Sequence, residues 1–271
     1  MAYKTKRFHT SMFEQMLFPN DIEGVLMEME FTSDMLHQAA EFRQNVLMNG
    51  LNRFKAHSPQ WRRPVNVERV ILVVGQVETD PSLKYGVQSL RTNHELLKAV
   101  CQANADAHIV YKPHPLVWSD LQAKQTEQQD PLLWCDECVG DVSLSHLLPK
   151  VNEVHVMTSL AGFEALLRGK KVSCYGRSFY AGWGLTEDRY PIERRTRRAS
   201  IEEIAAAALI IYPFYIDPKT GLPCGPEVSL ARLKDKNLWR SGFMARARFF
   251  YGRATRLIKP MLAASKEGST Q

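Results

Sequence analysis

The fold is decided by one short stretch, Val67-Glu-Arg-Val-Ile-Leu-Val-Val74, which Gly75 follows directly. A short apolar run that ends at a glycine is typical of a strand buried on both faces of a parallel sheet. Three further runs have the same character: 107–111, 153–157 and 171–175. Helical patterns lie between them, over 89–103 and 161–168. Strands that alternate with helices predict an α/β protein with a doubly wound, Rossmann-like parallel sheet and right-handed crossovers.

Composition excludes several classes of protein. The chain has 271 residues, of which 45% are hydrophobic and 24% are charged. This balance excludes an intrinsically disordered protein, a collagen-like fibre and a disulfide-stapled miniature. The sequence contains no run of 18 apolar residues, and its amino end lacks the apolar centre of a secretory signal. Five irregularly spaced cysteines are typical of a reduced, cytoplasmic protein.

The positive charge is concentrated near the carboxyl end. The whole chain carries a net charge of +6. Between residues 231 and 259, nine basic residues stand against one acid, so this segment carries +8 and the remainder about −2. This distribution argues against a nucleic-acid-binding core. Arginines mixed with aromatic residues from Arg240 to Lys259 predict binding to an anionic membrane surface. The alternative is a solvated basic helix packed on the body or on a partner.

The sequence divides into three parts. Apolar residues recur at three- and four-residue spacing over 21–54, which predicts helices capped at Asn20 or Asp21 and at Thr32 or Ser33. A polar, proline-marked segment at 57–66 follows and is typical of a linker. We therefore expect a helical part with its linker at 1–64, a Rossmann-like domain at 65–232 and a basic amphipathic tail at 233–271.

The loops after the strands are the candidate sites, because ligands of doubly wound sheets bind outside the carboxyl ends of the strands. After the first strand, Glu78 and Asp80 stand two residues apart and would point the same way in an extended chain. Either carboxylate could act as a nucleophile or as a general base. The alternative for this segment is a turn formed before Pro81.

The second and third loops carry groups suited to an anion. Lys112 and His114, between two stiffening prolines, could bind a phosphate, and His114 could also donate a proton. A solvated lysine and a structural histidine are the alternative. Ser159 stands where a helix begins, so it either helps to bind an anion or only caps the helix. Glu164 either accepts ribose hydroxyls or complements the helix dipole.

The fourth loop, 176–186, interleaves three glycines with three aromatic residues: Phe179, Tyr180 and Trp183. This composition suits neither a core helix nor a central strand. It predicts either a close approach to a ligand or a compact loop packed on its own aromatic side chains. Elsewhere, Cys135 and Cys138 form a lone Cys-x-x-Cys pair, which we interpret as incidental thiols rather than a zinc site. The sequence has no Walker loop and no G-x-G-x-x-G motif.

Two long motifs run through the third and fourth loops: Thr158-Ser-Leu-Ala-Gly-Phe-Glu-Ala-Leu-Leu-Arg-Gly-Lys-Lys-Val172 and Phe179-Tyr-Ala-Gly-Trp-Gly-Leu-Thr186. With Gly75-Gln-Val-Glu-Thr-Asp-Pro-Ser82 and Tyr111-Lys-Pro-His-Pro115, they resemble the KpsC/LipA family of bacterial capsule polysaccharide biosynthesis proteins in order and spacing. The resemblance covers about residues 20–233. It implies the GT-B-type donor-binding domain of a retaining β-Kdo glycosyltransferase, which uses CMP-Kdo to build a Kdo linker on a phosphatidylglycerol-type lipid.

The resemblance also implies roles for single residues. Asp80 would be the nucleophile, giving a covalent Kdo–enzyme intermediate and net retention. His114 would meet the CMP phosphate and assist its departure, with Lys112 adding positive charge. The other implied substrate contacts flank the nucleophile or bind phosphate, sugar carboxylate or ribose: Gln76, Ser82, Thr158, Ser159, Gly162 and Glu164. No metal and no cofactor are expected, because lysine, histidine and a helix amino end can neutralise the leaving phosphate.

The chain departs from the family pattern in two respects. Ser178 stands where the family usually has proline. A complete two-domain enzyme of this kind has a first Rossmann-like domain with a Glu-Asp-Gly-Phe-type motif, which we expect to be missing here together with its general acid/base. The alternatives are therefore a non-catalytic homologue or docking subunit of the capsule assembly machinery, or another sugar-nucleotide enzyme of the sialyltransferase-like kind.

The resemblance further implies where the chain acts and with what. The expected partners are a CMP-sugar donor, a lipid-linked glycan acceptor, an anionic membrane surface and a capsule biosynthesis and export complex, but no nucleic acid. The expected location is cytoplasmic, peripheral to the inner membrane.

Overall fold

The computed structural model of the chain describes residues 21–48, 59–123 and 130–235. The chain forms two compact units, Met1–Pro213 and Phe214–Gln271. The described part of the first unit consists of two helices, a packed connecting segment and an α/β body. The described part of the second unit is a small hairpin followed by a helix.

A six-stranded parallel sheet forms the centre of the α/β body. Its strands are β1 Val70–Val74, β2 His108–Lys112, β3 Glu137–Cys138, β4 Glu153–Val156, β5 Lys171–Cys174 and β6 Glu187–Asp188. They lie in the order β3-β2-β1-β4-β5-β6, and every neighbouring pair is parallel. This is the doubly wound order, whose topological switch point lies between β1 and β4. The α/β fold predicted from the sequence is confirmed.

Alternation along the strands divides the core into two layers. On one face, Val70, Leu72 and Val74 of β1 pack with residues of β4, β5 and the helices described below. On the opposite face, Ile71 and Val73 pack with the helix that follows β1. All five residues of β1 are buried, as expected for a central strand whose side chains meet a helical layer on each side.

The α-helices in the described part of the first unit are α1 Asp21–Glu28, α2 Ser33–Met48, α3 Pro81–Gly86, α4 Asn93–Ala103, α5 Pro115–Ala123, α6 Leu144–Leu147, α7 Leu160–Leu167 and α8 Ile201–Ala206. Helix α4 begins four residues later than the predicted start at 89. The reason is a capping box: the Thr92 hydroxyl accepts from Glu95 N–H, and the Glu95 carboxylate accepts from Thr92 N–H. Thr32 likewise caps α2, because its hydroxyl accepts from Met35 N–H at 3.3 Å.

The segment before β1 is packed on the body rather than free. Trp61 is buried, and its Nε1–H donates to Glu137 Oε2 at 2.8 Å. The Arg63 guanidinium donates to the carbonyl oxygens of Lys150, Val67 and Glu68 at 2.7–3.0 Å. A polar, proline-marked composition predicted a linker here. In the structure, hydrogen bonds from Trp61 to Glu137 and from Arg63 to Lys150 tie this segment to the body.

The second unit is described from Phe214 to Asp235. Strands β7 Tyr215–Ile216 and β8 Pro223–Cys224 form an antiparallel hairpin, and α9 Pro226–Lys234 follows. An ion pair between Asp217 and Arg232 at 2.9 Å joins the hairpin to the helix. The basic segment 240–259, for which we predict membrane binding, lies outside the described residues. In the described part of the chain, every helix is too short or too polar to cross a membrane.

Candidate functional site

A buried polar network joins the carboxyl ends of β1 and β4 at the switch point. The Gln76 side-chain amide donates to Thr158 Oγ1 at 2.9 Å and to Ser82 Oγ at 3.1 Å. Its carbonyl oxygen accepts from Thr158 N–H at 3.0 Å, and the two hydroxyls lie 3.0 Å apart. All three side chains are buried. Because their polar groups are engaged with one another, they fix the two loops relative to each other.

The loop after β1 holds its two carboxylates in different ways. Glu78 Oε1 accepts from the backbone and side-chain amides of Asn93 at 2.8 and 3.1 Å, which ties this carboxylate to the start of α4. Asp80 caps α3: its Oδ1 accepts from Ser82 N–H at 2.8 Å, and Pro81 occupies the first helical position. Among the described residues, Oδ2 of Asp80 accepts no hydrogen bond. The predicted turn therefore exists, and it leaves one oxygen of Asp80 available.

A cavity of 390 Å³ opens beside Asp80. Its lining combines acidic, basic and aromatic residues of the β1–α4 connection: Glu78, Thr79, Asp80, Pro81, Leu83, Lys84, Tyr85 and Arg91. The cavity therefore has a mixed polar and apolar lining, opens to solvent and is in direct contact with the available carboxylate.

The loop after β2 brings a histidine close to Asp80. Burial and the nearby Lys112 charge lower the pKa of His114, and the negative charge of Asp80 opposes that shift. His114 Nδ1 accepts from Leu116 N–H at 3.2 Å, so the neutral ring carries its proton on Nε2. The Lys112 ammonium donates to Gly140 O at 2.5 Å. The neutral His114 ring can thus donate a hydrogen bond from Nε2. The Lys112 side chain is positively charged, and its ammonium group is hydrogen-bonded to the backbone carbonyl of Gly140.

The helix α7 begins with a capping serine. Ser159 Oγ accepts from Ala161 N–H at 3.3 Å, and its backbone carbonyl accepts a hydrogen bond from the Tyr180 hydroxyl. Gly162 lies on the buried side, where an added Cβ would come within 2.8 Å of the Tyr180 ring and 2.9 Å of Val156. Close packing thus accounts for this glycine, which the resemblance had assigned to substrate.

Glu164 lies one turn into α7, partly exposed. Burial raises the pKa of Glu164, and the positive charge of Arg168, whose Nη1 lies 3.8 Å from Glu164 Oε2, opposes the rise. The carboxylate is therefore partly exposed and paired with Arg168 only at 3.8 Å.

The aromatic–glycine loop, 176–186, is a compact loop packed on its own aromatic side chains, which is one of the two alternatives that the sequence predicted. Tyr180 and Trp183 are completely buried, and Trp183 Nε1–H donates to Phe179 O at 2.9 Å. Arg195 holds the loop from outside: its Nη1 donates to the carbonyl oxygens of Ser178, at 2.7 Å, and of Ala181. Further hydrogen bonds tie the loop to the body: Gly182 N–H donates to Asp188 Oδ2 at 2.8 Å, and Arg177 N–H donates to Gly86 O at 2.8 Å.

A buried carboxylate completes this arrangement. Glu23 of α1 accepts from Arg195 at 3.0 and 3.1 Å and from Arg194 at 2.6 and 3.2 Å. Burial lowers the pKa of Arg195, and Glu23 opposes that shift. Sequence reasoning missed Glu23 and Arg195, because an acid on a helix and an arginine in a charged run both look like solvated residues.

Cys135 and Cys138 of the Cys-x-x-Cys pair are free thiols, the first buried and the second partly buried. Burial raises the pKa of Cys135 to about 12 and that of Cys138 to about 11, so both remain thiols. Over residues 21–48, 59–123 and 130–235, no group of three or more potential metal-binding side chains occurs.

A parallel sheet of this order, with a polar network at its switch point, defines a doubly wound, Rossmann-like α/β protein. Within that class, the chain belongs to the capsule polysaccharide biosynthesis protein family, whose model matches residues 16–215. It is 39% identical over 224 residues to the capsule polysaccharide modification protein LipA of Neisseria meningitidis serogroup A. This match covers 82% of this chain and 32% of LipA. The lipopolysaccharide-processing protein LpsZ of Rhizobium meliloti is 37% identical over 73% of this chain and 46% of its own length.

Two solved structures of Thermosulfurimonas dismutans KpsC share the fold. The β-Kdo 2,7 transferase has a TM-score of 0.71 and 36% identity, over 83% of this chain and 70% of that one. The β-Kdo 2,4 transferase has a TM-score of 0.70 and 27% identity, over 82% and 70%. The family resemblance is therefore confirmed, and the relatives include Kdo transferases and capsule modification proteins. The chain spans about a third of the length of LipA.

Proposed function

We propose that this chain acts in capsule polysaccharide biosynthesis by transferring Kdo, with retention, from CMP-Kdo to a lipid-linked acceptor. The observation that supports the proposal is the state of Asp80, with one oxygen held by Ser82 N–H and the other available, at the end of β1. The two similar KpsC structures are β-Kdo transferases, and this likeness supports the chemical class of the reaction. The chain spans only part of the length of its relatives. The identity of the acceptor, and the participation of a second protein chain, are therefore also parts of this proposal.

The proposed reaction has two displacements. In the first, Oδ2 of Asp80 attacks the anomeric carbon of Kdo, the bond from that carbon to the CMP phosphate oxygen breaks, and CMP leaves. In the second, an acceptor hydroxyl attacks the same carbon, its proton passes to solvent water or to a base on a second chain, and the bond to Asp80 breaks. Two inversions give net retention. The hydrogen bond from Ser82 N–H supports this role because it fixes the orientation of the attacking carboxylate.

The leaving phosphate would be met from two sides. His114 supports this role, because the proton on Nε2 can be donated to a phosphate oxygen, and an arriving anion would raise the lowered pKa of the ring. Lys112 adds charge nearby. The start of α7 offers backbone N–H groups and the Ser159 hydroxyl, and Glu164 would accept the ribose hydroxyls. The proposal requires no metal and no cofactor.

Mass spectrometry of the intact protein tests the nucleophile. Incubation with freshly prepared CMP-Kdo in the absence of acceptor should add the mass of one Kdo residue to the wild type, and peptide mapping should locate it at Asp80. The Asp80→Asn variant should carry no adduct. Asp106→Asn is the matched control, because Asp106 is an exposed aspartate paired with Arg69 before β2. An adduct on Asp80→Asn, or none on a wild type that releases CMP, would contradict the mechanism.

The second candidate is a docking subunit of the capsule assembly machinery without catalysis. It is supported by the ties of Glu78 to Asn93 and of Lys112 to Gly140, which engage two of the groups that chemistry would use. Capsule production separates the candidates. A strain with Asp80→Asn should lose capsule if the chain is a transferase and should retain it if the chain only docks partners.

The proposed location is the cytoplasmic side of the inner membrane, with a peripheral attachment. It is supported by the charge of the segment from Arg240 to Lys259, where arginines alternate with aromatic residues. Partners in the capsule biosynthesis and export complex would then be met at that surface.

A further inference from the structure

The cavity beside Asp80 contains two cations without a carboxylate partner among the described residues. The Lys84 ammonium lies 5.2 Å from the centre of the exposed Tyr85 ring. The described hydrogen bond of Arg91 uses its backbone N–H, which donates to Glu95 Oε2 at 2.8 Å, and leaves its guanidinium unpaired within the described chain. Both side chains line the 390 Å³ cavity.

Two arginines elsewhere in the first unit show the carboxylate pairing that Arg91 lacks. Arg69 binds Glu153 through two hydrogen bonds, at 2.8 and 3.0 Å, and Arg194 binds Glu23 in the same way. Guanidinium groups prefer such bidentate pairing with a carboxylate. Arg91 therefore has its preferred partner position open, and this position faces a cavity large enough for a sugar.

The proposed reaction at Asp80 requires positive charge nearby, such as that of Arg91 and Lys84. In a 2-ulosonic acid such as Kdo, the anomeric carbon itself carries the carboxylate. Attack by Asp80 on that carbon therefore brings two carboxylates within a few ångström, where like charges repel strongly in a partly desolvated site. A cation that lies between them and belongs to no other pair removes this barrier, whereas a neutral sugar would not need one.

We propose that Arg91 and Lys84 form the subsite for the sugar-acid carboxylate, with Arg91 as its bidentate partner and Lys84 as a second positive charge. This inference rests on the proposed function and names its selectivity: the cavity beside Asp80 takes a sugar whose reacting carbon bears a carboxylate. Asp80 and Glu78 give the cavity two negative charges, which the two cations balance until an anionic sugar enters.

Calorimetry with two ligands tests the subsite. Freshly prepared CMP-Kdo carries the sugar acid, whereas CMP occupies only the nucleotide part of the site. The wild type should bind CMP-Kdo more tightly than CMP. Arg91→Gln should weaken CMP-Kdo binding about 10- to 100-fold, the effect expected for a lost charge-assisted pair, and Lys84→Gln should weaken it less. Binding of CMP to either variant should stay within about two-fold of the wild type.

Lys98→Gln is the matched control. Lys98 is also an exposed lysine over an aromatic ring, 5.3 Å from the centre of Trp134, but it does not line the cavity. It should bind both ligands as the wild type does. If Arg91→Gln leaves CMP-Kdo binding unchanged, or weakens CMP equally, the subsite assignment is overturned while the proposed function stands. If the wild type binds neither ligand, the proposed function fails, and the subsite fails with it.

Discussion

Replacement of Glu23 by glutamine tests the buried ion-pair cluster that joins α1 to the aromatic–glycine loop. The Glu23 side chain is 4% exposed and that of Arg195 is 1% exposed. The carboxylate accepts four hydrogen bonds, from Arg194 and Arg195, at 2.6–3.2 Å. Glutamine keeps one acceptor oxygen but loses the negative charge, so the buried guanidinium would lose its hydrogen-bonded counter-charge and keep only the weaker electrostatic contact with Asp188.

The expected loss of stability follows from that burial. Removing one partner of a buried ion pair costs roughly 3–5 kcal/mol, and the retained amide oxygen places Glu23→Gln near the lower end, at about 3 kcal/mol. In a unit of this size, each kcal/mol lowers Tm by roughly 2–4 °C, so Tm should fall by roughly 6–12 °C.

Urea unfolding followed by tryptophan fluorescence measures the change, because Trp183 lies 5.2 Å from the Arg195 guanidinium carbon and should report the loop. Glu41→Gln is the matched control: this glutamate, 66% exposed, pairs with His37 at 3.2 Å on the surface of α2. The control should change the free energy of unfolding by less than about 0.5 kcal/mol. A loss below about 1 kcal/mol for Glu23→Gln would refute the argument that buried Arg195 requires a carboxylate.

Three further predictions concern packing, protonation and the tail. Gly162→Ala should destabilise the first unit by about 1–3 kcal/mol, because the methyl group would meet a tyrosine ring carbon at 2.8 Å. Gly24→Ala, with open space around it, should stabilise α1 by about 0.5–1 kcal/mol, and urea unfolding compares the two. An NMR titration should give His114 a pKa below its ordinary value and a still lower one in Asp80→Asn, since the aspartate charge raises it; a higher value in the variant would count against the electrostatic contact. Deleting residues 237–271 should release the protein from vesicles of anionic lipid at physiological salt, whereas unchanged pelleting would exclude the tail as the attachment.

The central strands, and their alternation with helices along the chain, could be predicted from the sequence. Burial on both faces leaves an uninterrupted apolar run such as the one at 67–74. Strands β3 and β6 could not, because two residues are too few to form a pattern. The capping box at Thr92 was visible in the sequence, but the apolar periodicity before it placed the helix start too early.

The sequence could predict features of the site that depend on residues adjacent in the chain. It could not predict those that depend on contacts between residues far apart in the chain. The sequence alone limited Asp80 to two roles, a turn or a reactive carboxylate, and the structure contains the turn. The compact state of the aromatic–glycine loop depends on Arg195 and on Glu23, which lies 172 residues away in the chain. Arg91 gave no signal at all, since an exposed arginine before a helix cap resembles any solvated surface residue.

The link between Glu23 and Arg195 also constrains when the molecule can finish folding and how it can be divided. The aromatic–glycine loop supports the start of α7. Its final hydrogen bonds form only after α1, from early in the chain, has met Arg194 and Arg195, which are synthesised much later. Such long-range loop closure is not needed by small local elements. During synthesis, α1 must therefore wait for most of the sheet to emerge. For protein engineering, the α/β body cut out at residue 59 would contain every strand of the sheet. Its aromatic–glycine loop, however, would be held by an arginine that had lost its hydrogen-bonded carboxylate. A minimal folding unit of this body therefore begins no later than α1.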